Sequence, residues 1–178
     1  ITWVSHNLIF HSAFVLHTYP WRESSLIVEF LTENEGRITT IAKGARRRTS
    51  SLRGLLIPFN KLLIRYSKKG DLRSLISAEW DEKGKKQIAG KQLFVGFYIN
   101  ELVLKIVQRG ESCKLLFLNY EMTLKNLISF PAMQDMYLRR FEFVVLKEIG
   151  VMPDFSDYVV TDNSRLYLSP NRGFCEDD

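Results

Sequence analysis

The segment KGARRRTSSLRG, residues 43–54, concentrates the residue types that grip phosphate. Lys43, Arg46, Arg47, Arg48 and Arg53 fall within eleven residues, with Gly44 and Gly54 near the ends and Thr49, Ser50 and Ser51 interspersed. Glycine permits close backbone approach, hydroxyls donate to phosphate oxygens, and arginine makes two-pronged contacts with them. No GxxxxGK[ST] spacing occurs, so this is not a nucleotide-binding loop of that kind. The plain alternative is a solvated basic loop with no fixed ligand. The density of cations and the shortage of acids favour contact with a nucleic-acid backbone.

Two neighbouring stretches repeat the theme. In YPWRESSL (19–26), Tyr19 and Trp21 are candidates to stack on bases, with Arg22 reaching the backbone, as in single-strand binders. Trp21 plugging one end of a barrel is the competing reading. Arg65 and Tyr66, with Lys68, Lys69 and Arg73, mix aromatic and basic residues again around a predicted turn.

Catalytic arrangements are poorly supported. The histidines are His6, His11 and His17. His11 and His17 are six apart and would share a strand face ~20 Å apart, too far for one metal or one proton relay. Glu33 and Glu35 occupy a predicted turn and alternate in direction, which argues against an acid/base pair. No HExxH, GxSxG or Asp-rich metal motif appears, and a hydrolase built on Ser24 or Ser25 with a histidine lacks its motif. The two cysteines, Cys113 and Cys175, lie 62 residues apart with no CxxC pair. The expectation is therefore a non-enzyme with no metal and no cofactor, its thiols free in a cytoplasmic setting. Further along, YLRRFE (137–142) sets Arg139 and Arg140 beside Tyr137 and Phe141. Asp135 and Glu142 stand at helical distance from Arg139, so an intrahelical ion-pair set is the plain reading. The sharper one is an arginine clamp for a peptide carboxylate.

These groups need elements to position them. The 178 residues hold 25 Lys plus Arg and 20 Asp plus Glu, a net charge of +5, and 46% are hydrophobic. Residues 43–73 contain ten basic residues and one acid, a local charge of +9 that leaves −4 for the rest. Such asymmetry points to a polyanion, nucleic acid before an anionic membrane surface. No run of about 18 apolar residues predicts a membrane span. The chain opens on Ile1 with no leader pattern, and so reads as a fragment of a longer protein with no signal peptide.

Period-two patterning predicts strands over 10–18, 25–31, 37–43, 61–67 and 72–78. Leu26, Val28 and Phe30 share one face of the second, and turns fall at ENEG (33–36) and KKGD (68–71). Five short strands with one longer basic connection predict a small closed barrel. Helical spacing follows over 87–109, 112–129 and 132–149. The first of these is apolar nearly all round and so is expected to be buried by neighbours, and the last ends at Gly150. Residues 151–178 read as an irregular module, with YVV and RLYLS as possible strands. The fold class is α+β: a barrel domain over 1–82, a helical domain over 83–150 and the irregular module over 151–178.

The stretch AFVLHTYPWRESSLIVEFLTENEGRITTIAKGARR (13–47) resembles the N-terminal region of the bacterial RecO family of recombination mediators. The similarity continues through PF-x-x-L-L (58–63), SAE (77–79), Y-I-N-E-L (98–102) and L-R-R-F-E (138–142), from about residue 10 to residue 150. The resemblance implies an oligonucleotide/oligosaccharide-binding (OB) barrel followed by a helical domain. It implies a protein of DNA repair and recombination that binds single- and double-stranded DNA and anneals complementary strands. Implied partners are RecR, the acidic C-terminal tail of the single-stranded-DNA-binding protein and, indirectly, RecA, in a nucleoid-associated setting without a membrane.

Carried over, Arg22, Lys43, Arg46, Arg47, Arg48 and Arg53 would lie in the DNA-contacting region, and Arg139 would meet the acidic tail. Some members carry a four-cysteine zinc module where this chain offers only Cys175, so a zinc-less version is implied. Members also continue with further helices. The competing class is an RNA-binding or ribosome-associated OB protein, which would share the basic stripe.

Overall fold

The computed structural model describes residues 9–67, 73–81, 88–152, 166–169 and 173–176. The expectations placed on His6, on Lys68 and Lys69 in the KKGD turn, and on YVV fall outside them. Five strands form a closed barrel: β1 (His11–Trp21), β2 (Ser25–Thr32), β3 (Gly36–Ala42), β4 (Lys61–Tyr66) and β5 (Arg73–Trp80). Their order around the barrel is β1-β2-β3-β5-β4, with β4 closing on β1 and β3 running parallel to β5. This is the OB arrangement of the predicted α+β fold.

Alternation decides what fills the barrel. Val28 and Phe30 of β2, Ile38 and Ala42 of β3, and Leu62, Ile64 and Tyr66 of β4 turn inward as the period demands. β1 keeps that period only as far as Val15. Ala13 and Val15 point into the barrel, opposite Thr32 and Phe30. Leu16 is then left unpaired, and the register resumes at His17 opposite Glu29. One extra residue reverses the alternation beyond it. His17, Tyr19 and Trp21 consequently share the outer face with Glu29 and Ile27.

The expectation that His11 and His17 lie on one face therefore fails: His11 stacks on Tyr66 (4.9 Å) and His17 on Tyr19 (4.4 Å). β1 also outlasts its predicted stop at Tyr19-Pro20. Its pairing with β4 ends at Phe14, so Pro20 sits where only one edge of the strand is paired. A missing N–H is tolerated at such a position.

The outer side of the first half of β1 is a second core. Phe14, Leu16 and Leu31 pack against α1 (Gln92–Ile106), α2 (Lys114–Ser129) and α3 (Gln134–Glu148) through Ile99, Val103, Phe117, Tyr120 and Phe141. Asn100 donates to the Leu16 carbonyl (2.8 Å) and accepts from the Tyr120 hydroxyl (2.6 Å), tying α1 and α2 to the irregular point of β1. Lys61 of β4 reaches Glu121 of α2 (3.1 Å) over the rings of Phe14 and Phe117.

α1 differs from expectation. It buries only the stripe Gly96, Ile99, Asn100 and Val103, and leaves Phe94, Phe97 and Tyr98 exposed. It stops at Val107 because β3 captures the chain beyond: Arg37 Nε donates to the Val107 carbonyl and Gly110 N–H to the Arg37 carbonyl. α3 ends as predicted, at Gly150 with φ +73. The Val151 N–H there satisfies the Leu146 carbonyl. Two short strands, Leu166–Ser169 and Gly173–Glu176, pair antiparallel in the last segment.

Gly36 shows how tightly the halves meet. Its φ is +59, and a Cβ there would overlap the Glu111 carbonyl oxygen and lie 3.3 Å from Cys113 Sγ. Gly44 has φ +68 but no atom nearer than 3.6 Å. Gly36→Ala is expected to lower unfolding free energy by ~2–4 kcal/mol. Gly44→Ala should lower it by only ~1–2 kcal/mol. Urea titration of both variants checks this, and equal losses would contradict the close approach of residues 111–113.

Candidate nucleic-acid interface

The site grows out of the reversed end of β1. Tyr19 stands on the outer face in a row with Ile27 and Ile41, its partners across β2 and β3, and Trp21 stands on the same face opposite Ser25. Both aromatic rings are accessible, Tyr19 at 45% and Trp21 at 38%, so Trp21 does not plug the barrel. After Trp21 the chain turns through Arg22, whose φ of +51 is a left-handed conformation rare outside glycine. The Arg22 guanidinium lies 5.9 Å from the Trp21 ring centre.

The basic loop is fastened rather than free. Arg46 N–H donates to the Ser24 carbonyl (2.8 Å) and Arg46 Nη1 to the Arg22 carbonyl (3.2 Å), joining the loop to the β1–β2 turn. Ala45 is buried in the barrel core, and so is Leu56 at the far end. Between them, Ser50 caps a short 3-10 turn, Ser51–Gly54, by accepting from Leu52 N–H. Leu52 and Leu55 pack onto the same core. Asn60 donates to the Leu55 carbonyl (2.9 Å) and secures the exit. Lys43, Arg46, Arg47, Arg48 and Arg53 are thereby held facing solvent. Among the described residues none of these five, nor Arg22, pairs with a carboxylate.

The two turns enclose a groove of about 470 Å³ lined by Trp21, Arg22, Ser24, Ser25, Ile41, Lys43, Gly44 and Arg47. An aromatic wall facing unpaired cations, with hydroxyls between, suits a phosphodiester strand whose bases stack while its phosphates meet arginine.

Other predicted contacts behave differently. Arg65 donates to Ser77 Oγ (2.7 Å) and lies over Phe10, while Arg73 is held by Glu35 at 2.6 Å. Neither lines the groove. Tyr66 is corrected outright as a stacking platform: its inward phase on β4 buries it to 8% exposure, between His11 and the Arg73 guanidinium. Burial first, and then Glu35, push its hydroxyl well above the usual phenol range. On α3, Arg139 binds Glu142 (2.6 Å), which also accepts from Tyr98 (3.0 Å), so the plain ion-pair reading is present. Arg140 is exposed on the same helix.

Sequence reasoning did not single out Thr39, Ile41, Lys105 or Arg109 on this side of the barrel. Ile41 and Thr39 follow from extending the β2–β3 register past the 33–36 turn. Arg109 carries no such signal.

Two family models match the chain: Recombination protein O N terminal over residues 8–83, and Recombination protein O C terminal over residues 89–176. Among curated relatives, the DNA repair protein RecO of Thiobacillus denitrificans is 43% identical over 174 residues, covering 91% of this chain and 68% of that protein. The chain belongs to the RecO family. The DNA repair protein RecO of Nitrosospira multiformis is 46% identical over 138 residues, 78% of this chain and 56% of that protein. That of Proteus mirabilis is 41% identical over 167 residues, with 91% and 68% covered. This RecO-family chain thus spans little more than half the length of some relatives it matches.

Among the described residues no group of three or more His, Cys, Asp or Glu could hold a metal ion, and no helix is long and apolar enough to cross a membrane. Cys113 is buried where α2 begins, and burial first, then Glu148 and Glu111, push its thiol up to about 11. At pH 8 only about one thiol in a thousand would be ionised, against about one in ten for a thiol at its ordinary value of 9.0. In a Cys175→Ser background, iodoacetamide should label the folded chain ~100-fold more slowly than the urea-unfolded chain at pH 8. The gap should narrow as pH rises towards 11. Equal rates at pH 8 would contradict the burial of Cys113.

Proposed function

We propose that this chain is the DNA-handling part of a recombination mediator, which binds single- and double-stranded DNA and anneals complementary strands. The supporting observation is the set of six exposed cations, Arg22, Lys43, Arg46, Arg47, Arg48 and Arg53, none paired with a carboxylate among the described residues; Arg22, Lys43 and Arg47 line the groove with the exposed ring of Trp21. The barrel over 1–82 is the DNA-binding unit. Arg65 and Arg73 contribute less because each already has a partner.

Annealing needs no reaction centre. A cationic face offsets the repulsion between two phosphate chains and raises their effective concentration. The helical unit over 83–150 offers the complementary function. Arg139 and Arg140 receive the acidic tail of the single-stranded-DNA-binding protein, with Arg139 exchanging Glu142 for a tail carboxylate. RecR and RecA complete the mediator pathway.

Binding of labelled single-stranded DNA, single-stranded RNA and a tail peptide, each as a function of salt, tests the reading. DNA binding with a steep salt slope and measurable peptide binding supports it. Strong RNA preference with no peptide binding overturns it in favour of an RNA-binding OB protein.

Arg46, Arg47 and Arg48 changed together to Ala should weaken all DNA sequences alike and flatten the slope of log K against log salt by about 2 for single strands. An unchanged slope would remove the loop from the interface. Arg139→Ala should weaken the tail peptide about tenfold or more, as loss of a charged hydrogen-bond partner does. DNA affinity should stay within about twofold, and parallel loss of both would refute separate sites.

A further inference from the structure

Beyond Tyr19 the outer face of the barrel meets α1 across a second cleft of about 500 Å³. Its walls are His17 and Tyr19 of β1, Phe97 and Leu104 of α1, and the cations Arg37, Lys105 and Arg109. That volume lies within the range of a small-ligand site. The cleft and the groove at the basic loop share no lining residue but lie along one outer face of the barrel. Tyr19 and Trp21 are same-face neighbours on β1, ~7 Å apart along the strand. Ile27 and Ile41 extend the Tyr19 row across to the groove wall.

A carboxylate in the middle of this face would ordinarily repel phosphate. Glu29 does not, because its charge is consumed internally. It is only 3% exposed and accepts from Thr39 Oγ1 (2.9 Å), Arg109 Nη2 (2.7 Å) and Arg37 Nη1 (3.5 Å). A guanidinium has five N–H donors, and Glu29 engages only one nitrogen of Arg109, whose side chain remains 60% exposed. The buried acid therefore acts as a fixed post that aims an arginine outward. Lys105 pairs with Glu101 at 2.7 Å, but both are well exposed, and such pairs exchange partners at little cost.

We propose that this cleft is a second compartment of the single-strand path, holding one nucleotide beyond the basic groove. Its base lies against Tyr19, His17 and Phe97, and its phosphate lies between Arg109 and Lys105. The inference rests on the DNA-binding reading above and adds to it a site on the helical half. It also gives the strand a defined course: across the β1–β2 turn, along the exposed rings of β1, and under α1.

The test compares oligothymidylates of about 4 to about 16 nucleotides, the span of site sizes for single OB barrels, by anisotropy. The variants are Lys105→Glu and Arg109→Gln, singly and together, beside the Arg46, Arg47 and Arg48 triple alanine variant. In the wild type, affinity should keep rising with length past the point where the basic groove is filled. In the double variant the final increment should vanish, with long strands about tenfold weaker and short ones unchanged. The salt slope for long strands should fall by about 1.4, two phosphate contacts' worth. The triple variant should instead weaken every length.

Arg109→Gln alters the surroundings of Glu29. Lys105→Glu lies on the exposed face of α1 and alone should lose about half of the slope change. Equal weakening of short and long strands, or no effect at any length, overturns the second compartment while leaving DNA binding on the barrel intact. Absence of oligothymidylate binding by the wild type overturns the DNA-binding reading itself, and the compartment with it.

Discussion

One unpaired residue in β1 governs the surface of this protein. Leu16 has no partner on β2, and everything beyond it changes sides. Without the bulge, His17, Tyr19 and Trp21 would point into a barrel already filled by Val15, Val28 and Phe30, while Thr18 and Pro20 would face the solvent. With it, a single strand serves two purposes. Its first half presents Phe14 to the helices and its second half presents aromatic rings to the exterior. A bulge interrupts the ladder, and the freed Leu16 carbonyl needs a donor. Asn100 supplies that donor from α1.

That hydrogen bond links the surface to the packing behind it. Asn100 is 2% exposed and uses both ends of its amide, one on Leu16 and one on the Tyr120 hydroxyl. A buried amide so placed contributes roughly 1 kcal/mol per bond in place and a larger penalty if one partner is removed. The same logic recurs at Arg37, which reaches Val107 and Glu29 together, and at Lys61 between Asp81 and Glu121. The Val107 and Glu121 contacts cross from the barrel to the helical side, while Glu29 and Asp81 hold the same two side chains on the barrel. Burial pushes the Glu121 carboxyl up, yet Lys125 and Lys61 outweigh it and hold the group below its ordinary value. The helices thus brace the back of the barrel, which leaves its turns free to meet a ligand.

The strands and the closed barrel were legible because short runs rich in Ile, Val, Leu and Thr are set apart by turn signals such as ENEG at 33–36. The bulge was not. Ala13-Phe14-Val15-Leu16 is apolar on both faces, so a lost step leaves no trace in the pattern. Tyr66 was misplaced for a different reason. Its phase with Leu62 and Ile64 marked it as inward, but its basic neighbours drew attention to its chemistry instead. On α1 the apolar residues run round the whole circumference, and only the positions of β1, α2 and α3 decide that Ile99 is covered while Phe94 is not. The basic segment was visible from composition alone. That it is anchored at Ala45, Leu56 and Asn60 was not, because those anchors are ordinary residues made special by the barrel they close.

Charge completes the argument, through pairing rather than totals. On the helical side Lys105, Lys125 and Arg139 each sit within 2.7 Å of a carboxylate oxygen. Exposed pairs of this kind add little stability, but they cancel as seen from beyond a Debye length, ~8–10 Å at moderate salt. Among the described residues the basic loop and the β1–β2 turn have no such partners, so in the proposed function the long-range attraction for a polyanion would originate there. Holding six cations together with only Glu23 beside them raises their mutual repulsion in the free protein. Burial of Ala45, Leu52, Leu55 and Leu56, with the main-chain bond from Arg46 to Ser24, holds the loop against it. An arriving phosphate chain relieves that repulsion only where the cations are unpaired. In the proposed compartment, the paired Arg109 and Lys105 would act afterwards, at contact distance, when a phosphate is close enough to compete for them.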